Sequence, residues 1–497
     1  TMVITAKGSE TGTDIVSGAE TNDDFINLIF TPGADITNFT VDNIIVSSGQ
    51  ISDFIPSLWT KLGADIDGET AGDESGFSVS LSSDGRTVAI GAYLNDGTVN
   101  GINSGHVRIY QLNASKDAWE KKGGDIDGEA PGDNSGYSVS LSSDGLTVAI
   151  GAYYNGGNGI NSGHVRIFGY SGNSWTQLGE DIDGEAGGDY SGISVSLSND
   201  GSTVAIGANG YDVPNGDDSG HVRIYGYIAS SWTKLGEDID GEAANDYSGR
   251  SVSLSSDGST VAIGAYGNDG DSFNAGHVRI YRYSDSSWAQ LGEDINGEKS
   301  HDKSGRSVSL NSDGSTVAIG VYKNGDNGSN AGHVRIFGYS GNSWTQLGGD
   351  IYGDIDGEAA DDRSGWSVSL SSDGRTVAIG APYNDGLNAN SSNSGHVRIF
   401  GYSGNSWTQL GEDIDGEATE DQSGWSVSLS SDGSTVAIGA QLNDGSGDSS
   451  GHVRIYTLSS AAKFTPDVVT EDTTYTISVD NYDNAESSFT WTYLSES

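Results

Sequence analysis

The chain has 497 residues, and 70 Asp and Glu against 23 Lys and Arg give a formal charge of −47. That excess argues against nucleic acid or an anionic membrane as partner, and the absence of cysteine excludes disulfides, thiolate metal sites and cysteine nucleophiles. Glycine is abundant (75) and proline scarce (6) while apolar alternation persists throughout, which marks a turn-rich all-β protein and not a disordered tract.

Residues 1–53 read as three strands, at 2–6, 25–31 and 39–47, that belong to no repeat. From Trp59 onward one unit recurs, in its last copy WTQLGEDIDGEATEDQSGWSVSLSSDGSTVAIGAQLNDGSGDSSGHVRIY. Its copies begin at Trp59, Trp119, Trp175, Trp232, Trp288, Trp344 and Trp407, in steps of 60, 56, 57, 56, 56 and 63 residues. A period of this length, filled with short alternating runs and Gly/Asp/Asn turns, signals a propeller or another repeat array. Each unit holds four strand-like runs, as in Ser426-Val427-Ser428-Leu429, Thr435-Val436-Ala437-Ile438, His452-Val453-Arg454-Ile455-Tyr456 and the Trp-Thr-Gln-Leu run, with an Asp-Gly turn between the first two. Seven units of four strands predict a seven-bladed β-propeller. The first copy opens on its fourth strand and the last copy lacks one, so the N-terminal strand is expected to complete the last blade and close the ring.

After the last blade, residues 462–465, 475–479 and 489–493 again read as strands. Neither flank alone can build a core, but together they have the size of one immunoglobulin-like β-sandwich. The expected organisation is therefore a sandwich split into 1–53 and 460–497, with the propeller, 54–459, inserted into one of its loops. No apolar run is long enough to cross a bilayer and no signal peptide is visible, so the chain reads as a soluble, monomeric piece of a longer secreted protein.

Two resemblances follow from these motifs. The flanks, with FINLIFTPGADITNFTVDNIIVSSGQISDF before the repeats and AAKFTPDVVTEDTTYTISVDNYDNAESSFTWTY after them, resemble the bacterial Ig-like repeats of giant surface adhesins. The blades, with SGFSVSLSSDGRTVAIGA and SGHVRIY, are similar to FG-GAP repeats, the units of integrin α-subunit propellers. Many FG-GAP blades hold calcium between strands one and two. Here that loop is only Ser83-Asp84-Gly85, too few oxygens for a calcium cage, so that site does not carry over.

Acidic residues concentrate instead in the loops joining strand four to strand one. Asp65, Asp67, Glu69 and Asp73 in the first copy recur as Asp125, Asp127, Glu129 and Asp133 in the second and as Asp413, Asp415, Glu417 and Asp421 in the last. Carboxylates at positions 1, 3, 5 and 9 around a Gly resemble a calcium loop. The alternatives are a solvated acidic loop, or carboxylates paired with the repeat's own Arg. The His and Arg of the third strand, His106/Arg108 through His452/Arg454, recur in all seven copies and therefore read as inter-blade structure, since an enzyme needs one asymmetric constellation. One position varies where its neighbours do not: Phe77, Tyr137, Ile193, Arg250, Arg306, Trp366 and Trp425, each preceding Ser-Val. Placed at the mouth of the central channel, these residues are candidate ligand contacts, because aromatic and Arg side chains favour binding. Channel filling is the structural alternative. The expected function is a non-enzymatic adhesion module at the cell surface that binds a glycan or protein of another cell or surface, with calcium rigidifying the binding face. A spacer without a ligand is the runner-up, and a polysaccharide-active enzyme stands third.

Overall fold

The computed structural model describes residues 59–458 with their side chains, apart from 98–99, 213–214, 271, 326–327, 349–359 and 386–391. In the flanks 3–58 and 459–493, and at Ile351–Tyr352, it describes strand backbone alone. The chain forms two compact units: Lys61–Trp407 with Asp413–Ile455, and Thr1–Thr60 with Thr408–Glu412 and Tyr456–Ser497.

The first unit is a ring of seven blades. The inner strands are Ser78–Leu81, Ser138–Leu141, Ser194–Leu197, Ser251–Leu254, Ser307–Leu310, Ser367–Leu370 and Ser426–Leu429. In each, Val and Leu are buried and the two Ser half-buried, and the period-two pattern turns Val and Leu to the preceding blade and the Ser pair to the following one, as Val139 and Leu141 pack with Val107 and Ile109 while Ser138 and Ser140 bond to the third blade. In the second blade the inner strand pairs antiparallel with Thr147–Ala152, which pairs with His164–Ser171, and that strand pairs with Ser174–Gln177. Thr-Val-Ala-Ile-Gly-Ala is buried along almost its whole length, as a strand covered on both faces must be. The Asp-Gly turn before it is closed by Ser142, whose hydroxyl donates to Asp144 at 2.7 Å and accepts the Thr147 amide at 2.9 Å.

The core lies between blades. Val107 and Ile109 of the first blade pack with Val139, Leu141, Val148 and Ile150 of the second, and the same set recurs at the other junctions. Each such side chain contributes roughly 1.5–3 kcal/mol when fully buried, so aliphatic packing outweighs any single polar contact at the junction. Polar contacts supply the register. The first Ser of every inner strand donates to a Gly carbonyl of the next blade, as Ser78 to Gly136 at 2.7 Å, and the second accepts a Leu amide, as Ser80 from Leu141 at 2.9 Å. Each Trp indole donates to the chain of the preceding copy, from Trp119 to Leu62 O at 2.8 Å through Trp407 to Leu347 O at 2.9 Å.

The ring closes as the sequence predicts. Val453 pairs with Ile66, and the Leu81 amide donates to Ser428 Oγ at 2.9 Å. Trp59 pairs with Leu458, and its indole donates to Leu410 O at 2.7 Å.

One expectation about the loops is corrected. The Ile-Asp of the Asp-Ile-Asp run assigned to the loop after strand four is the end of strand four itself. The strand breaks at Gly179 and resumes as Ile182–Asp183, which pairs with His164 and Val165. The Ile at this place is only 5% exposed in the described copies, so burial of one apolar side chain draws the residue after it into the sheet.

In the flanking unit, Val3–Gly8 pairs with Ile26–Thr31, and residues 26–30 pair with 460–464. A second sheet runs in the order Ala19–Thr21, Ser487–Tyr493, Thr474–Val479, Ile44–Val46. Strands from both ends of the chain thus share both sheets.

Candidate functional site

The channel mouth lies where each inner strand begins. Phe77, Tyr137, Ile193, Arg250, Arg306, Trp366 and Trp425 all line one pocket there, of about 220 Å³. The ring is lopsided. Trp366, Trp425, Phe77 and Tyr137 form a continuous aromatic arc, with centroid separations of 4.7 Å, 5.6 Å and 4.6 Å. Arg250 and Arg306 stand on the other side. The Arg306 guanidinium lies 4.2 Å from the Trp366 ring centre, and Arg250 Nη2 donates to the Tyr137 hydroxyl at 3.5 Å across the mouth. Ile193, the remaining member, is 7% exposed and belongs to the core.

Two further rings support this one and went unread in the sequence. The first is Glu74, Asn134, Tyr190, Tyr247, Lys303, Arg363 and Gln422, each preceding the fixed Ser-Gly and each held at φ between 51° and 61°. Left-handed backbone is uncommon for such side chains, and it clusters at functional sites. The second follows the second strand: Tyr93, Tyr153, Asn209, Tyr266, Tyr322, Pro382 and Gln441. Tyr93 lies 4.3 Å from Phe77, Tyr153 lies 4.1 Å from Tyr137, and Arg363 stacks 3.9 Å from the ring of Tyr383. Burial raises the Glu74 carboxyl above its ordinary range, opposed by a hydrogen bond with Tyr93. Both rings vary between copies while their neighbours stay fixed, and that variation was the available signal.

The acidic residues do not group as their spacing suggests. Asp73, Asp133 and Asp421 are buried and used up within the face. Asp133 accepts the Ala130 amide at 2.9 Å and the Asn155 side chain at 3.1 Å, so it ties the strand 4→1 loop to the 2→3 loop. Asp73 and Asp421 make the equivalent bonds to Asn95 and Asn443. The Glu of each loop turns instead to the next blade. Glu69 meets Arg108 at 3.2 Å, Glu129 meets Arg166 at 3.5 Å and Glu417 meets Arg454 at 3.2 Å, while each Arg also donates to a carbonyl of the preceding Asp-Ile-Asp, as Arg108 to Asp67 O at 3.0 Å.

Beside every such Arg sits the buried His of the same strand, and the acids collect around it. The groups are Asp65, Glu417 and His452; Glu129, His164 and Asp181; Glu185, His221 and Asp238; Glu242, His277 and Asp294; and His396 with Asp413 and Asp415. His277 Nδ1 is 3.8 Å from a carboxylate oxygen of both Glu242 and Asp294. The three ligand atoms all lie within 4.8 Å of one another, close enough to share one ion. One imidazole with two carboxylates is a donor set for zinc-like cations; calcium prefers six to eight oxygens. His221 is fully buried and neither of its ring nitrogens has a hydrogen-bond partner. Burial, then Arg223, hold its pKa down to about 3. Asp67 is raised by burial and by Asp65 and Glu417, and Asp127 by burial and Asp125, the mark of carboxylates crowded together.

Comparison with known proteins agrees with the repeat structure. The FG-GAP repeat family model matches residues 60–110, 126–168, 239–281, 355–400 and 414–456. The five matched segments fall on five of the seven repeat units. No curated relative matches the chain. Solved structures are similar to this chain only at a distance. The periplasmic gluconolactonase of Pseudomonas aeruginosa is 13% identical with a TM-score of 0.46, over 84% of this chain and 97% of that one. A prolyl endopeptidase is 10% identical with a TM-score of 0.41, over 85% and 55%. The β-propeller domain of the Trilobed protease from Pyrococcus furiosus is 11% identical with a TM-score of 0.35, over 80% and 97%. Likenesses of this degree bear on no activity.

Proposed function

We propose that this chain is a non-enzymatic adhesion module, in which the FG-GAP propeller binds a glycan at the channel mouth and an Ig-like domain built from both flanks carries it at the cell surface. The lopsided crown of aromatic and Arg side chains carries this reading. It is the place where seven otherwise near-identical repeats differ, and its half-buried aromatic faces suit a sugar ring. A pocket of about 220 Å³ suits a single sugar residue or a small side group. Third-strand residues repeated in every blade supply no asymmetric catalytic pair. Divalent cations at the blade junctions, calcium or a zinc-like ion, stiffen the binding face by joining Glu of one blade to His and Asp of the next.

The test is a broad glycan array probed with the protein in chelator and again with calcium or zinc, beside the double variant Trp366→Ala/Trp425→Ala. Hits that the double variant loses while keeping its melting temperature support the reading. Hits that survive it place the ligand elsewhere, and a blank array favours a protein ligand or a spacer.

A further inference from the structure

The arginines of this protein fall into two groups with opposite surroundings. Third-strand Arg108, Arg166, Arg223, Arg279, Arg335 and Arg454 each have a Glu partner, as Arg108 has Glu69 at 3.2 Å and Arg279 has Glu242 at 3.6 Å. Arg250, Arg306 and Arg363, on blades four, five and six around the mouth, have none: among the described residues these three make no ion pair. Their contacts are with rings and a phenol. Arg306 lies over Trp366 at 4.2 Å, Arg363 over Tyr383 at 3.9 Å, and Arg250 reaches the Tyr137 hydroxyl at 3.5 Å.

This is an odd place for unpaired cations. The chain has 70 carboxylates for 23 Lys and Arg, so a partner was available almost anywhere. Cation–π contacts offset part of the desolvation of a guanidinium and leave its N–H fork unsatisfied. The three also act on one spot: Arg306, Arg363 and Arg250 all lower the Tyr322 phenol against the effect of burial. Burial and then Arg250 bring Arg306 down to about 9, as expected for a cation without a counter-charge.

We propose that the mouth recognises an acidic group on its sugar ligand, a single carboxylate or sulfate, held by the guanidinium forks of Arg250 and Arg306 while the ring lies against the aromatic arc. Planar guanidinium suits both oxyanions through paired N–H bonds. Arg363 adds charge from the rim. The same reasoning sets a limit. A chain of −47 repels a long polyanion, so the ligand bears isolated acidic groups on a mainly neutral glycan. This inference rests on the mouth being the glycan site, and it assigns the chemical class that the site selects.

The experiment is calorimetric titration of the whole chain with three matched oligosaccharides: neutral, uronate-terminated and monosulfated. Each is run against wild type, Arg250→Gln, Arg306→Gln and Trp425→Ala. The expected result is that one acidic oligosaccharide binds at least tenfold tighter than the neutral one, and which of the two does so separates carboxylate from sulfate. Each Arg variant should cut that preference about tenfold. Unliganded Arg306→Gln should melt no lower than wild type, because it removes an uncompensated charge; if it fails to fold, Arg250→Gln carries the test. Equal binding of all three sugars, all lost in Trp425→Ala, would overturn the anion assignment and keep the mouth as the site. Acidic preference unchanged in Trp425→Ala and both Arg variants would remove the site from the mouth and overturn both readings.

Discussion

Ser426 Oγ donates a 2.7 Å hydrogen bond to the carbonyl of Gly76, 350 positions earlier in the chain. It is the same bond that Ser194 makes to Gly249 at 2.8 Å between two consecutive blades. The seventh junction is therefore built like an internal one, and the ring closes without a distinct latch in its inner layer.

Equivalence of the junctions can be measured. Removing either hydroxyl leaves a Gly carbonyl without its donor, at about 1–3 kcal/mol. Ser426→Ala and Ser194→Ala should lower the urea midpoint by the same amount. A silent Ser426→Ala beside a destabilised Ser194→Ala would mean that the ring opens at the seventh junction.

Close approach of backbones at each junction gives a sharper test. A Cβ added at Gly91 would stand on the carbonyl oxygen of Gly136, whose own φ of +89° permits only Gly comfortably. Backbone cannot move aside as a side chain can, so Gly91→Ala should cost about 3 kcal/mol or more. Gly124, with nothing within 4 Å of an added Cβ, is the control. Gly124→Ala should shift the midpoint hardly at all.

Much of this architecture is legible in the sequence because each strand is short and its alternation regular. Ser-Val-Ser-Leu, Asp-Gly and His-Val-Arg-Ile fix strand, turn and face seven times over, and the missing fourth strand of the last copy predicts the pairing of Trp59 with Leu458. The acidic sites were not legible in the same way. Spacing along the chain groups Asp65, Asp67, Glu69 and Asp73, whereas the fold sends Asp73 to Asn95, Glu69 to Arg108 and Asp65 to His452. Asp73 finds its partner 22 residues on, Glu69 on the third strand of the blade that follows it and Asp65 across the ring closure, and local spacing holds no record of these pairings. Lys303 and Arg363 were legible by the same signal as the mouth residues, because the position before Ser-Gly varies between copies as the one after it does.

Cation binding at the junctions should appear as stability. A ligand of the folded state raises stability by RT ln(1 + [L]/Kd), about 2.7 kcal/mol at a hundredfold excess over Kd. Zinc, and more weakly calcium, should raise the melting temperature of chelator-treated protein. The double variant Glu242→Gln/Asp294→Asn, which strips both carboxylates from His277, should bind one equivalent fewer. Identical melts in chelator, calcium and zinc would leave the clusters as Arg-paired structure alone.

Buried histidines give the pH dependence its sign. Burial first, then the neighbouring Arg, lowers His277 and His452 to about 4, against an ordinary value of 6.5. The unfolded chain therefore takes up protons that the folded chain refuses, and stability falls as pH drops below 6.5, by about 1.4 kcal/mol per unit for each such His. Crowded carboxylates act in the opposite sense. Asp67, Asp240 and Asp415 are raised by burial, so protonating them relieves a strain of the folded state, but only at the lower pH where carboxyls titrate. In chelator, the melting temperature should fall most steeply about midway between pH 6.5 and pH 4 and level off below pH 4. His277→Gln should make the upper part of that slope shallower by one proton. A melting temperature that climbs steadily from pH 7 to 5 would mean that relief of carboxylate repulsion, and not histidine burial, governs the acid limb.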